Sequence, residues 1–252
     1  MTAALYRVES GRLLEARTGD ELVLDGAEGH HAATVKRARV GEQVLLADGG
    51  PRVAVCAVRS VGAAGSGSLV LRIVDFAAHD EAGPRFVLVQ ALAKNDRDLQ
   101  ALEAATELGV DEVIPWQAER SIVQWKGERG ERARRKWVAL AEAAAKQSRR
   151  PAPPQVGELV NLRDLVARVA AAEVAFVLHE EAEQPLAGAE LPSAGEVLLV
   201  VGPEGGIGPR EIDELSAAGG VPVRLGRYVL RSSSAGPAAI AVLSAAGRWR
   251  TT

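Results

Sequence analysis

Apolar residues in the first third of the chain come in short runs broken by Gly, Asp and Ser. The runs at 5–8, 22–24, 43–47, 53–58 and 69–74 predict strands. A Gly/Ser-rich turn at 62–68 joins the last two. One helix interrupts the series, starting near Glu28 and carrying His30, His31, Val35 and Lys36. Several short strands at this spacing predict a small antiparallel barrel. The rhythm changes just after Pro84 and Arg85. Largely apolar runs at 86–92, 113–115, 174–178, 197–201 and 221–225 predict further strands. Between them, segments of helical period lie at 96–108, 132–148, 162–172, 210–218 and 236–248. Gly109 stands where a left-handed cap ends a helix, Asn161 where an N-cap opens one, and Pro209 at a first helical position. Mostly apolar strands alternating with helices predict an α/β domain built on a parallel sheet covered on both faces. The boundary falls near residue 80, giving domains at 1–80 and 81–252.

Composition removes several classes without changing that picture. The 252 residues are 47% hydrophobic and 25% charged, an ordinary globular balance. A single cysteine, Cys56, excludes a disulfide framework and a cysteine-based zinc site. The four histidines (His30, His31, His79 and His179) do not make a metal case, and no metal is expected. Arg7 and Glu9 break the opening apolar stretch, so no secretory signal is read there. No run approaches the ~18 apolar residues of a membrane span. These features together predict a cytoplasmic protein.

Charge changes the picture more. The formal net charge is only −3, yet the segment 126–150 holds nine Lys/Arg against three Glu. In that segment Arg132, Arg135, Glu142, Lys146 and Arg149 fall on one helical stripe, opposite Trp137, Leu140 and Ala144. A cationic stripe on an acidic body is what a polyanion would feel. It also fits a solvated face, because Glu142 and Lys146 are spaced as a favourable i,i+4 pair. Lys36, Arg37 and Arg39 form a smaller basic cluster, within a region of nine basic and ten acidic residues at 1–80.

The candidate chemistry lies in two loops. Strand 197–201 runs into Gly202-Pro-Glu-Gly-Gly206 and then a helix. Ligands of open parallel sheets sit at the carboxyl ends of strands, and glycine lets backbone approach them. The spacing matches neither a Walker A loop nor G-x-G-x-x-G. A second loop, Leu225-Gly-Arg-Tyr-Val-Leu-Arg-Ser-Ser-Ser234, follows the next strand. Its serines are also expected to N-cap the last helix. With no lysine or acid pair for a metal-bound triphosphate, a pocket walled by these loops suits adenine and ribose.

These two loops resemble the cofactor loops of the SPOUT methyltransferases. Within that superfamily the chain is similar to the RsmE family, the 16S ribosomal RNA uridine N3-methyltransferases. The resemblance extends through Gly29-His-His-Ala-Ala-Thr-Val-Lys-Arg-Ala-Arg-Val-Gly41, Gln90-Ala-Leu-Ala-Lys94, Ala105-Thr-Glu-Leu-Gly109, Glu119-Arg120 and Ala143-Ala-Ala-Lys-Gln-Ser-Arg149. It implies a PUA-like N-terminal RNA-binding barrel and a C-terminal SPOUT domain with a trefoil knot. It also implies bound S-adenosylmethionine, a homodimer, and a 16S ribosomal RNA or assembling small-subunit substrate. Carried onto this chain, the cofactor residues are Leu178, His179 and Glu180, then Gly202, Pro203, Glu204, Gly205 and Gly206, then Leu225, Gly226, Leu230 and Ser232. RNA contacts are expected from Lys36, Arg37, Lys94, Lys146, Gln147, Arg149 and Arg150. One departure is clear: the family's common Thr-Glu-Thr-Ala is here Ser232-Ser-Ser-Ala235, so Ser233 replaces a carboxylate.

Methylating N3 of uracil requires loss of the imide proton and stabilisation of the anion at its carbonyl oxygens. Arginine suits that anion, since its planar fork stays protonated. Arg231 is the first candidate and Arg120 the second. Glu204 either pairs with one of these arginines or accepts the proton. Two other readings stand beside this one: a SPOUT ribose 2′-O-methyltransferase, and an RNA-binding protein without transfer activity.

Overall fold

The computed structural model describes residues 3–50, 52–63, 67–78 and 83–250. His79 and residues 64–66 of the expected turn lie outside them. The chain divides into two compact units, Met1–Asp80 with Ala145–Pro153, and Glu81–Ala144 with Pro154–Thr252.

The first unit holds β1 (Ala4–Arg7), β2 (Glu21–Leu24), β3 (Gln43–Ala47), β4 (Arg52–Val61) and β5 (Leu69–Ala78). They form one sheet in the order β1-β3-β4-β5-β2. The sheet is mixed rather than antiparallel throughout, because β1 and β3 pair in parallel, with Ala4 opposite Val44. The reason is topological: the connection between them contains β2 and a helix, long enough to return the chain in the same direction. That helix, α1 (Gly26–His30), starts before Glu28 and continues as a π-helical turn over His31–Val35, so Lys36 is its cap. Tyr6, Leu46, Cys56, Leu71 and Ile73 fill the core. Burial there pushes the Cys56 thiol up to about 11, so it is an inert apolar filler.

The second unit contains β6 (Arg85–Ala91), α2 (Arg97–Glu107), β7 (Glu112–Trp116), α3 (Gly127–Gln147), β8 (Gln155–Val156) and α4 (Leu162–Ala171). Then come β9 (Val174–Leu178), β10 (Glu196–Val201), α5 (Pro209–Ala217), β11 (Gly220–Val223) and α6 (Ser232–Ala246). Its six strands lie in the order β11-β9-β10-β6-β7-β8, every pair parallel. Strand alternation sends Phe86 and Leu88 into one core, with Trp137 of α3 and Ile240 and Leu243 of α6. Val87, Val89 and Ala91 enter the other, with Leu165 of α4 and Leu215 of α5. Both faces are covered, which is why these strands read as unbroken apolar runs.

Helix α3 begins five residues before the expected 132, in a polar stretch without an apolar stripe. Helix α6 begins at Ser232 rather than 236, with Pro237 inside it. Gly236 is required by contact, because a Cβ there would stand 2.8 Å from Leu88 Cδ1. The two-residue strand β8 is too short to show a period. It is held by Arg134, whose guanidinium donates to the carbonyls of Val156 (2.9 Å) and Gly157 (3.0 Å).

Gly109 adopts φ +95 after α2, and Pro209 opens α5 at its first position. Asn161 caps α4 through a reciprocal capping box with Asp164. Replacing Asn161 with Ala removes the side-chain half of that box. It should lower stability by about 1 kcal/mol, read as a fall in the urea midpoint without a change in slope.

Candidate active site

A parallel sheet delivers every strand-to-helix loop to the same edge. In the second unit that edge carries a cleft at the carboxyl ends of β9, β10 and β11. One part is walled by Leu178, His179 and Glu180 and by Leu225, Gly226 and Leu230. The adjoining part, about 390 Å³, adds Gly202, Pro203, Glu204, Gly205 and Gly206, with Arg97, Arg231 and Ser232. Three loops far apart in sequence therefore share one cavity.

Local structure explains how these loops hold their shape. Gly206 adopts φ +72, and its amide donates to the Pro203 carbonyl (2.9 Å), closing a tight turn. The His179 amide donates to the Val223 carbonyl (2.9 Å), and its Nδ1 accepts the Glu181 amide (3.3 Å). This half-buried histidine thus shapes its own turn at the cleft wall.

The serine run does not cap α6 as expected. Arg231 is the N-cap residue and makes no side-chain cap bond; the amides of Ser234 and Ala235 both donate to its carbonyl oxygen. Ser232 is buried, and among the described residues its hydroxyl finds no partner. A buried donor without a partner at a cleft wall is a place for a ligand atom.

The arginines and acids also find partners that spacing alone did not suggest. Glu204 is engaged neither by Arg120 nor by Arg231. Its Oε1 accepts the Lys94 amide (2.9 Å) and Arg97 Nη1 (3.4 Å), because the loop after β6 lies beside the loop after β10. Arg120 Nη1 donates to the Gly205 carbonyl (2.9 Å). Arg231 is exposed at the cleft, and Lys94 is exposed in the same unit. Between β6 and α2, Asn95 and Asp96 both hold left-handed backbone, with φ of 56° and 55°. Asp98, buried in the first turn of α2, accepts the amides of Leu99 (2.9 Å) and Ala93 (3.4 Å). Burial pushes its carboxyl up, and those amides pull against the shift.

The remaining RNA-contact candidates lie in the first unit. Lys36, Arg37, Gln147 and Arg149 are exposed, and Arg150 is half-buried. Lys146 is ion-paired with Glu28, so its charge is partly committed. Arg37 and Arg149 both adopt left-handed backbone, at φ of 54° and 60°. Each stands just past a helix end, where glycine is the usual residue.

Sequence reasoning missed Arg97 and Glu211. Glu211 stands three residues after Gly208, the N-cap of α5, and that capping-box spacing is the signal that could have found it. Its reach to the loop after β7 leaves no local signal. Among the described residues, no group of His, Cys, Asp or Glu is arranged to hold a metal, and no helix is long and apolar enough to cross a membrane.

With the geometry in place, comparison with known proteins is informative. An RNA methyltransferase domain profile matches residues 81–244, and an RNA methyltransferase PUA domain profile matches 24–63. The ribosomal RNA small subunit methyltransferase E of Mycobacterium bovis is 43% identical over 237 residues, covering 92% of this chain and 89% of that protein. A Legionella pneumophila protein assigned as a methyltransferase, solved with the cofactor SAM, is 27% identical with TM-score 0.76, covering 98% of each chain. The Neisseria gonorrhoeae small subunit methyltransferase E, solved with S-adenosyl methionine, shares the fold at TM-score 0.79 and 22% identity, covering 97% of this chain and 98% of that one. The two profiles fall on the two halves of the chain, and the similarity to the mycobacterial enzyme runs through both. The chain belongs to the ribosomal RNA small subunit methyltransferase E family, whose members are RNA methyltransferases.

Proposed function

We propose that this chain uses S-adenosylmethionine to methylate N3 of a specific uridine in 16S ribosomal RNA of the small subunit. The observation that carries this reading is the cleft at the ends of β9, β10 and β11 in a chain of this family. Its volume of about 390 Å³ lies within the ~300–1,000 Å³ of small-molecule sites. The three glycines of its wall, Gly202, Gly205 and Gly206, let a ligand approach backbone, and the unsatisfied Ser232 hydroxyl suits a base or ribose. Relatives solved with this cofactor share the fold. The trefoil knot and a homodimer belong to the same reading. Tyr228 and Val229, 77% and 74% exposed in the cofactor loop, support the dimer as an apolar patch awaiting cover. Residues 1–80 are read as the PUA-like RNA-binding barrel and 81–252 as the methyltransferase domain, working in the cytoplasm where ribosomal RNA is modified.

When bound, S-adenosylmethionine supplies an electrophilic methyl group. The chain's own residues do the rest. The loops 178–180, 202–206 and 225–232 hold the cofactor and exclude water. Arg231, exposed at the cleft, steadies the uracil anion at a carbonyl oxygen; Arg120, beside Gly205, is the second donor. Glu204 is bound through Oε1 by the Lys94 amide and Arg97, which favours the role of a brace for the glycine loop over that of a proton acceptor. No carboxylate stands at Ser233, so the rate rests on positioning and on the arginines. That serine also favours the reading without transfer activity. Mass spectrometry of nucleosides from RNA incubated with the protein and cofactor decides: 3-methyluridine supports the proposal, a 2′-O-methyl nucleoside the ribose reading, and cofactor binding without product the silent one.

Cofactor at 100 times Kd should stabilise the protein by about 2.7 kcal/mol. Gly206→Val forces a β-branched residue to φ +72 and should erase the shift in a thermal melt. Arg231→Lys keeps the charge and loses the fork. Its single-turnover rate should fall by roughly 10²–10³, the cost of one oxyanion donor, with RNA affinity changed far less.

The basic residues of the first unit generate a different expectation. Arginine at a left-handed position costs stability that glycine would not, so Arg37→Gly and Arg149→Gly should each raise stability by up to about 1 kcal/mol. If these side chains grip phosphate, the same pair of changes should weaken RNA binding and flatten its salt dependence by up to about two contacts. Filter binding across a salt series checks this; an unchanged slope assigns both arginines to solvated surface.

A further inference from the structure

Glu211 is buried at 1% exposure in the first turn of α5, and no cation pairs with it among the described residues. Burying a carboxylate is costly unless its oxygens are satisfied. Here Oε2 accepts the Gly208 amide (2.8 Å), which closes the turn into α5. Oε1 accepts the Glu119 amide (2.8 Å), ninety-two residues away in the loop after β7. In the sheet β6 lies between β10 and β7, so this one side chain spans a strand end to join two loops. The residue after Glu119 is Arg120, whose Nη1 reaches back to the Gly205 carbonyl (2.9 Å). The loops are pressed together at this point: a Cβ on Gly208 would stand 3.2 Å from Glu119 Oε2, and one on Gly205 would stand 3.3 Å from Arg120 Cβ.

A helix cap needs only the Gly208 half of this arrangement. The Glu119 half fixes the backbone directly before an arginine that lies against the glycine loop. We infer that Glu211 is a positioning residue, whose carboxylate clasps the loop after β7 to the loop after β10 and so sets Arg120 beside the cofactor cleft for methyl transfer. It acts through Arg120 and touches neither RNA nor cofactor. This inference rests on the placement of Arg120 in the proposed reaction. Glutamine at 211 keeps one acceptor and turns an N–H toward an N–H, so it releases one of the two loops. Aspartate keeps the charge but is one methylene short.

The test is a double-mutant cycle read in single turnovers, with 16S ribosomal RNA transcripts and, in parallel, small subunits lacking the modification. Glu211→Gln should slow transfer about tenfold, within the range of a small displacement of a reacting group, while the S-adenosylmethionine Kd stays within about twofold. Glu211→Asp should fall between parent and Gln. In an Arg120→Ala background Glu211→Gln should slow transfer no further than about twofold, because the group it positions is gone. An equal loss in both backgrounds, a parental rate in Glu211→Gln, or a loss confined to cofactor binding overturns the inference. Should Glu211→Gln fail to fold, hydrogen exchange on the parent decides. The Glu119 amide should exchange at least about tenfold more slowly than an unstructured amide, and exchange at the unstructured rate rejects the clasp. Nucleoside analysis of the parent's product keeps the two questions apart. A methyl group on another atom, or no transfer at all, overturns the uridine reading, while the cycle or the exchange rate still judges Glu211.

Discussion

The site depends on one constraint, the parallel direction of all six strands in the second unit. Parallel neighbours cannot be joined by tight hairpins, so each strand must hand its chain to a connection that crosses the sheet and returns. Every loop that follows a strand then emerges at the same edge. Leu178–Glu180, Gly202–Gly206 and Leu225–Ser232 become neighbours for that reason, although Glu180 and Leu225 are 45 positions apart. The two apolar cores, one on each face, hold the strands rigid beneath these loops.

Rigid strands do not by themselves fix loops, and the loops here are tied to one another by side chains meeting backbone. Glu204 accepts an amide from the loop after β6, Glu211 an amide from the loop after β7, and Arg120 donates to the carbonyl of Gly205. All three ties end on the segment between Gly205 and Glu211 or just before it. The glycine loop is therefore the hub of the edge. Backbone partners suit this task, because a peptide group cannot swing away as a side chain can. They also hold in place the glycine-rich turn that lines the cleft.

The first unit is organised by different physics. Its main core lies on one mixed sheet, and the residues of interest are exposed cations just past helix ends. Two of them hold backbone conformations that glycine would adopt without cost. Strain kept at solvent-exposed arginines has no packing rationale in the unit itself, whereas a phosphate-binding surface would give one.

Much of this was legible in the chain itself. The switch near residue 84 to largely apolar strands that alternate with helical segments marks the change to a sheet buried on both faces, since burial on each side demands apolar residues at every position. Caps at Asn161, Gly109 and Pro209 were legible because capping acts over three or four residues. The twelve residues that the resemblance names as cofactor contacts all line the cleft, although they come from three separate loops. Other features were not legible. The parallel pairing of β1 with β3, the two-residue β8, and the start of α6 at Ser232 depend on contacts with distant segments. So does the choice of Arg97, rather than Arg120 or Arg231, as the partner of Glu204. Glu211 is the clearest case. Its local role as a cap is written in the three residues between Gly208 and itself, but its second oxygen is satisfied from ninety-two positions away. Sequence determines what acts within a turn of helix or along a strand, because there covalent spacing sets distance; which loops meet at the sheet edge is set by strand order, and only the tertiary structure decides that.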